Sequence, residues 1–207
     1  SAASDVYKRQ RQFLCQKDIQ KAFIKVGIGT EKHSRVISEK EKKITAYHEA
    51  GHATLSWLLE HANPLVKVTI VPRGKALGAA WYLPEERQIT TREQLLDEMC
   101  ATLGGRAAEE LFLGKISTGA SNDLERVTKQ AYAMVVYFGM SNRLPNLNYY
   151  DSSGQDWGFT KPYSEETARM IDQEVQVIIN EQYERAKSIL KEHASGHNTL
   201  AQVLLER

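Results

Sequence analysis

Apolar side chains fall at helical spacing through most of this chain, and β-rich runs occur in one place only. Residues 1–12 are polar without a hydrophobic period and read as a leader, a tag remnant or a frayed arm. Residues 18–26 have the pattern of a short amphipathic helix stopped by Gly27 and Gly29, and a basic linker follows to Arg35. Ser38 with Glu41 three positions on makes a capping box that opens a long helix to about His61, ended by Asn63 and Pro64. The runs 66–71 and 78–83 predict a small hairpin or paired strands around Pro72, Arg73 and Gly74. Thr90 with Glu93 predicts a second boxed helix to about Phe112, closed by Gly114. Asn122 is the expected cap of a third helix reaching Phe138, with Gly139 just past its end. Pro145, Gly154, Gly158 and Pro162 predict a long loop over 140–163. Ser164 starts a highly charged helix through about His193; Gly196 is its expected break and Asn198 the cap of a last short helix. The expected fold is mainly α (α+β), helical, with one small sheet beside the first long helix.

Composition narrows the classes. The 207 residues suffice for a buried core, and 42% apolar with 26% charged residues is ordinary for a globular chain. Twenty-seven Lys and Arg against 26 Asp and Glu leave +1, which gives no electrostatic footprint for nucleic acid or an anionic membrane. Cys15 and Cys100 have no metal-type spacing and build no disulfide framework, which favours a reducing compartment. The longest apolar stretch, 131–140, is half of what a bilayer requires.

The chemistry lies in His48-Glu49-Ala50-Gly51-His52. Residues four apart share a helical face, so both imidazoles can reach one ion. Glu49 lies about 100° round from His48, where its carboxylate meets a water rather than the metal. That arrangement suits Zn2+, one per chain, with Glu49 as the catalytic base. The competing reading is two ordinary helix histidines beside a surface Glu. A glycine in mid-helix costs ~1 kcal/mol against alanine, so Gly51 implies that something packs closely there.

A catalytic zinc needs a third protein ligand. His61 is nine residues after His52, ~13 Å along the axis, and cannot reach back. His193 and His197 are expected in solvent, and His33 sits in the linker. Two carboxylates remain. Glu110 continues the apolar stripe Leu96, Met99, Leu103, Ala107, whereas Glu109 points away; Arg106 is its ordinary partner. Asp123 follows the Asn122 cap, where an acid also suits the helix dipole. Spacing leaves both open.

Four blocks carry a resemblance: the His48–His52 motif; Lys67-Val68-Thr69-Ile70-Val71-Pro72-Arg73-Gly74; Gly104-Gly105-Arg106-Ala107-Ala108-Glu109-Glu110-Leu111; and Ser117-Thr118-Gly119-Ala120-Ser121-Asn122-Asp123-Leu124-Glu125-Arg126. In this order they resemble the FtsH family of ATP-dependent zinc metalloproteases, peptidase family M41, with a bacterial flavour, over roughly 16–207. The resemblance implies a helical zincin-type domain in which His48, His52 and Asp123 bind zinc and Glu49 is the base. Glu110 is left as the candidate to stand behind the ligands, orienting a ligand histidine or pairing with Arg106. It further implies an arm over 1–15, the end of an ATPase-module region or linker over 16–35, and the zinc metalloprotease domain over 36–207.

Neither a G-x-x-x-x-G-K-[ST] loop nor an apolar 20-mer occurs, so the resemblance implies a C-terminal protease portion. ATP and the membrane would enter only through an ATPase module and N-terminal spans upstream. The implied setting is a homo-hexamer at the bacterial inner membrane, with the protease on the cytoplasmic side. The implied substrates are unfolded, threaded or membrane proteins, in protein quality control. Two alternatives stay open: a catalytically silent ring-forming domain, and a different zinc hydrolase using Glu110 as third ligand. Run 78–83 is either a substrate-binding edge or a core strand. Helix 164–193 is either a ring contact or a solvated surface.

Overall fold

In the computed structural model, residues 37–71, 77–82, 89–149 and 162–206 are described. The expected arm, the helix over 18–26, the turn at Pro72, Arg73 and Gly74, and Gly154 and Gly158 of the long loop lie outside these residues. The fold is mainly helical with one two-stranded antiparallel sheet.

Helix α1 spans Glu39–Leu58. Its start is the expected box: the Ser38 hydroxyl accepts from the Glu41 amide at 3.2 Å, and the Glu41 carboxylate accepts from the Ser38 amide at 3.1 Å. From Thr45 to Ala53 every side is buried, so α1 is a central element covered on several faces. Strands β1 (Leu65–Thr69) and β2 (Ala79–Tyr82) pair with Val68 opposite Ala80 and Thr69 opposite Ala79, with an irregularity between Leu65 and Lys67. The sheet lies against α1: a Cβ on Gly78 would stand 2.7 Å from Thr45 Cγ2 and 2.8 Å from Glu49 Oε1.

Helix α2 runs Arg92–Ala108. The sequence satisfies a capping box in two frames, and the structure uses Thr91 with Gln94 rather than Thr90 with Glu93. A π-helical turn, Glu109–Leu113, continues it to Gly114, whose φ of 64° is the left-handed stop that glycine favours. Asn122 does not cap the third helix. The Ser117 hydroxyl accepts from the Gly119 amide, a 3₁₀ turn covers Thr118–Ala120, and α3 (Ser121–Val136) follows directly. Asp123 therefore sits in the first turn of α3. Helix α4 spans Glu165–Glu192 under a Ser164 cap. The break before α5 (Ala194–Leu205) falls at His193, where φ is −105° and ψ 25°; Gly196 and Asn198 lie within α5.

Two packed layers meet on α2. Met99 and Leu103 join Val127, Met134, Ile171 and Ile178 in a core shared with α3 and α4. On its other side α2 touches α1 backbone to backbone: a Cβ on Gly51 would lie 2.3 Å from Gly104 O, and one on Gly104 would lie 2.8 Å from Gly51 O. This is the close approach that the mid-helix glycine implied.

Helix α5 covers the opposite side of α1. His197, expected in solvent, is fully buried there. Its Nε2 lies 3.1 Å from Tyr47 O, and its ring stacks on Phe112 with centroids 4.2 Å apart. Burial holds the imidazole below its ordinary pKa, so the folded chain keeps it neutral. As pH falls below ~6.5 the unfolded chain takes up this proton first, and stability is lost at no more than ~1.4 kcal/mol per pH unit. Denaturant titrations of the zinc-free chain at pH 7.5 and 5.5 are expected to show a smaller loss in His197→Gln. An identical loss in both proteins would contradict this.

Candidate metal centre

One turn of α1 separates His48 from His52, and their rings meet edge to face with centroids 4.7 Å apart. The Nδ1 atoms are held from behind. His52 Nδ1 lies 2.9 Å from the Ala101 carbonyl and His48 Nδ1 lies 2.6 Å from Glu109 Oε1. Both partners accept only, so each Nδ1 donates and Nε2 is left as the atom that can face a metal ion.

Those atoms converge. The two Nε2 atoms are 3.0 Å apart, and Asp123 Oδ2 lies 3.2 Å from His48 Nε2 and 3.4 Å from His52 Nε2. Tetrahedral coordination with Zn–N and Zn–O near ~2.0–2.1 Å sets ligand atoms about 3.3 Å apart. Three atoms of metal-ligand type at that spacing fit a zinc ion, which would replace the proton that His48 and Asp123 otherwise share. His48, His52 and Asp123 form the one group of metal-ligand type among the described residues. Burial disfavours a charged His48, yet its bonds to Asp123 and Glu109 and the charge of Glu49 outweigh this and raise its pKa to about 9. For Asp123, burial is outweighed by the two histidines, which hold its carboxyl well below the usual range.

Glu49 is buried beside this cluster, its carboxylate next to Gly78 at the start of β2. Burial pushes its pKa up, against the pull of His52 and His48. These groups open on a cleft of about 590 Å³, walled by β2 on one side and the Ser117–Asp123 turn on the other.

The carboxylate behind His48 is Glu109, not Glu110. Glu109 is 1% exposed; Oε1 holds His48, and Oε2 accepts from the Ser117 amide at 2.6 Å. One side chain thus ties the metal helix to the turn that leads to Asp123. Burial opposes its ionisation, but these bonds keep its pKa low. Glu110 faces outward, accepts from the Tyr183 hydroxyl and lies 3.7 Å from Lys187, with no ion pair to Arg106. The reason is that α2 is buried on two faces. The stripe through Met99 and Leu103 faces α3 and α4, whereas Ala101, Gly104, Gly105 and Ala108 face α1, and Glu109 lies one turn beyond Gly105. The run of small residues was the available signal for that second face.

Gly105 supports His48 through its missing side chain: a Cβ there would stand 2.4 Å from His48 Nε2. Alanine improves helix propensity by ~1 kcal/mol, yet it must push the ring aside. Gly105→Ala is expected to keep its helical circular dichroism and to lose about 10–100-fold in zinc affinity in competition with a chelating dye. Unchanged affinity would contradict the contact.

The family model for peptidase family M41 matches residues 35–207. The chain belongs to peptidase family M41. It is 75% identical over 206 residues to the ATP-dependent zinc metalloprotease FtsH of Parabacteroides distasonis, covering all of this chain and 30% of that protein. It is 52% identical over 203 residues to FtsH of Rhodothermus marinus, 97% of this chain and 29% of the relative. A mitochondrial inner membrane m-AAA protease component of Mus musculus matches at 49% over 192 residues, 93% and 24%. The chain thus spans less than a third of the length of these relatives. The M41 match identifies a metalloendopeptidase domain. Among the described residues no helix of this M41 domain is long and apolar enough to cross a membrane.

Proposed function

We propose that this domain hydrolyses peptide bonds in unfolded or threaded polypeptides, with zinc held by His48, His52 and Asp123 and Glu49 as the base. The observation that carries the reading is the convergence of three atoms of metal-ligand type beside a buried carboxylate. Zinc bound there supplies a Lewis acid that polarises the scissile carbonyl and acidifies the attacking water. Glu49 accepts the proton of that water and passes it to the leaving amine. Glu109 fixes the His48 tautomer and, through Ser117, the position of Asp123. The outer edge of β2 offers backbone groups on which an extended substrate strand can align.

The relatives' names extend the reading. The domain would serve a longer ATP-dependent protease at a membrane, and the family resemblance extends this to a hexamer whose ATPase module delivers unfolded chains for protein quality control. In a bacterium the domain would lie on the cytoplasmic side of the inner membrane.

Chelation tests the metal directly. Cleavage of unfolded casein or a short fluorogenic peptide is expected to fall to background with a strong chelator and to return with Zn2+ but not Mg2+. Cleavage that persists after the zinc is removed would overturn the reading. Full zinc occupancy with no cleavage would favour a silent structural domain.

A further inference from the structure

Arg126 stands out in the cleft. It lies on α3 one turn past Asp123, lines the same cavity, and is exposed. Residues three apart on a helix are neighbours about 5–6 Å apart at Cβ, so it borders the metal cluster on one side. Every other ionisable side chain lining the cavity is a histidine, a tyrosine or an acid: Glu41, Glu49, Glu109 and Asp123 among the acids. Arg126 is the cavity's one lysine or arginine among the described residues.

The acids nearest the chemistry are already engaged. Asp123 belongs to the metal cluster, and Glu109 is held by His48 and Ser117. Among the described residues no hydrogen bond or ion pair occupies Arg126. Tyr82 of β2 lines the same cavity, as does the buried Glu49. Arg126 thus lines the cleft on its α3 side, beside the metal cluster and not part of it. A cation in that place, in a cleft whose carboxylates are Glu41, Glu49, Glu109 and Asp123, suits a negative group arriving with the substrate.

We infer that Arg126 forms a subsite for a substrate carboxylate a few residues from the scissile bond. The inference rests on the proposed hydrolysis of peptides by this site. A carboxylate reaches the subsite from a Glu or Asp side chain or from the C-terminus of a short product-like chain. Lysine at the same substrate position meets like charge and is disfavoured.

The test uses the zinc-loaded chain and decapeptides with one scissile core. Glu, Gln or Lys is placed at each of three positions on either side in amidated peptides, and one Gln peptide carries a free C-terminus. At one position Glu is expected to raise kcat/KM about fivefold over Gln, with Lys below Gln. In Arg126→Glu the order of Glu and Lys inverts. A preference that follows only the free C-terminus assigns the subsite to the terminal carboxylate. No position that discriminates, or a discrimination unchanged in Arg126→Glu, overturns the inference. Binding of the same peptides, labelled with fluorescein, to Glu49→Gln and to Glu49→Gln/Arg126→Glu gives a second readout by anisotropy. Absent cleavage in the wild-type chain counts against the hydrolytic reading. The subsite then stands or falls on whether the Glu-over-Lys order in binding inverts with Arg126→Glu.

Discussion

Glu49→Gln is expected to lower peptide hydrolysis by about 10²–10⁴-fold while the chain keeps its zinc. The side chain is buried at the mouth of the metal cluster but donates no atom to it, since the cluster is His48, His52 and Asp123. An amide has nearly the same shape as the carboxylate and cannot accept a proton from water. Its neutral form also suits this site, because burial already disfavours the charge of Glu49. The fold should be untouched and the thermal midpoint unchanged or slightly higher. Single-turnover cleavage of a fluorogenic peptide, with zinc measured on the same sample, separates the cases. Zinc retained with cleavage unchanged would remove Glu49 from its assigned role.

Asp123→Ala is expected to do the opposite and act on the metal first. Changes to groups that only support zinc ligands cost about 10–100-fold in affinity, and loss of one of the three proposed ligands should exceed the upper figure. The substitution also leaves the two Nε2 atoms, 3.0 Å apart, without the carboxylate that they face. Glu110→Ala is the control, because that carboxylate engages Tyr183 and Lys187 on the far side of α2. A ligand that binds only the folded chain raises its stability by RT ln(1 + [L]/Kd), so zinc should raise the melting temperature of Glu110→Ala and the parent chain. It should leave Asp123→Ala close to its metal-free value. A full zinc-dependent shift in Asp123→Ala would show that another group completes the site.

Which parts of this site were legible in the sequence follows from how each helix is buried. His48, Glu49 and His52 were readable because their relation is internal to one helix and set by its period. Gly51 announced a close neighbour, and Gly104 supplied it. The third carboxylate was not decided by periodicity, since Asp123 reaches the histidines only because a 3₁₀ turn delivers it in the first turn of α3. Glu109 was missed for a different reason. The reading followed the one stripe of large apolar residues on α2, while the face toward α1 is built from alanine and glycine. Small residues produce little hydrophobic signal at a contact where two backbones nearly touch. His197 was misplaced because a polar ring at a helix start reads as surface. Its burial depends on α1 and Phe112, far away along the chain.

Helix α5 gives the domain an order of assembly. His197 bonds to the backbone of Tyr47, the residue before His48, across 150 positions of sequence. Lys42, in the first turns of α1, reaches the carbonyl of Leu205 at the other end of α5. During synthesis at ~5–20 residues per second, α1 leaves the ribosome roughly 8–30 s before the helix that covers it. Through that interval the H-E-x-x-H helix lacks one of its walls. The wall that α5 supplies is completed only after α2, α3 and α4 have all emerged.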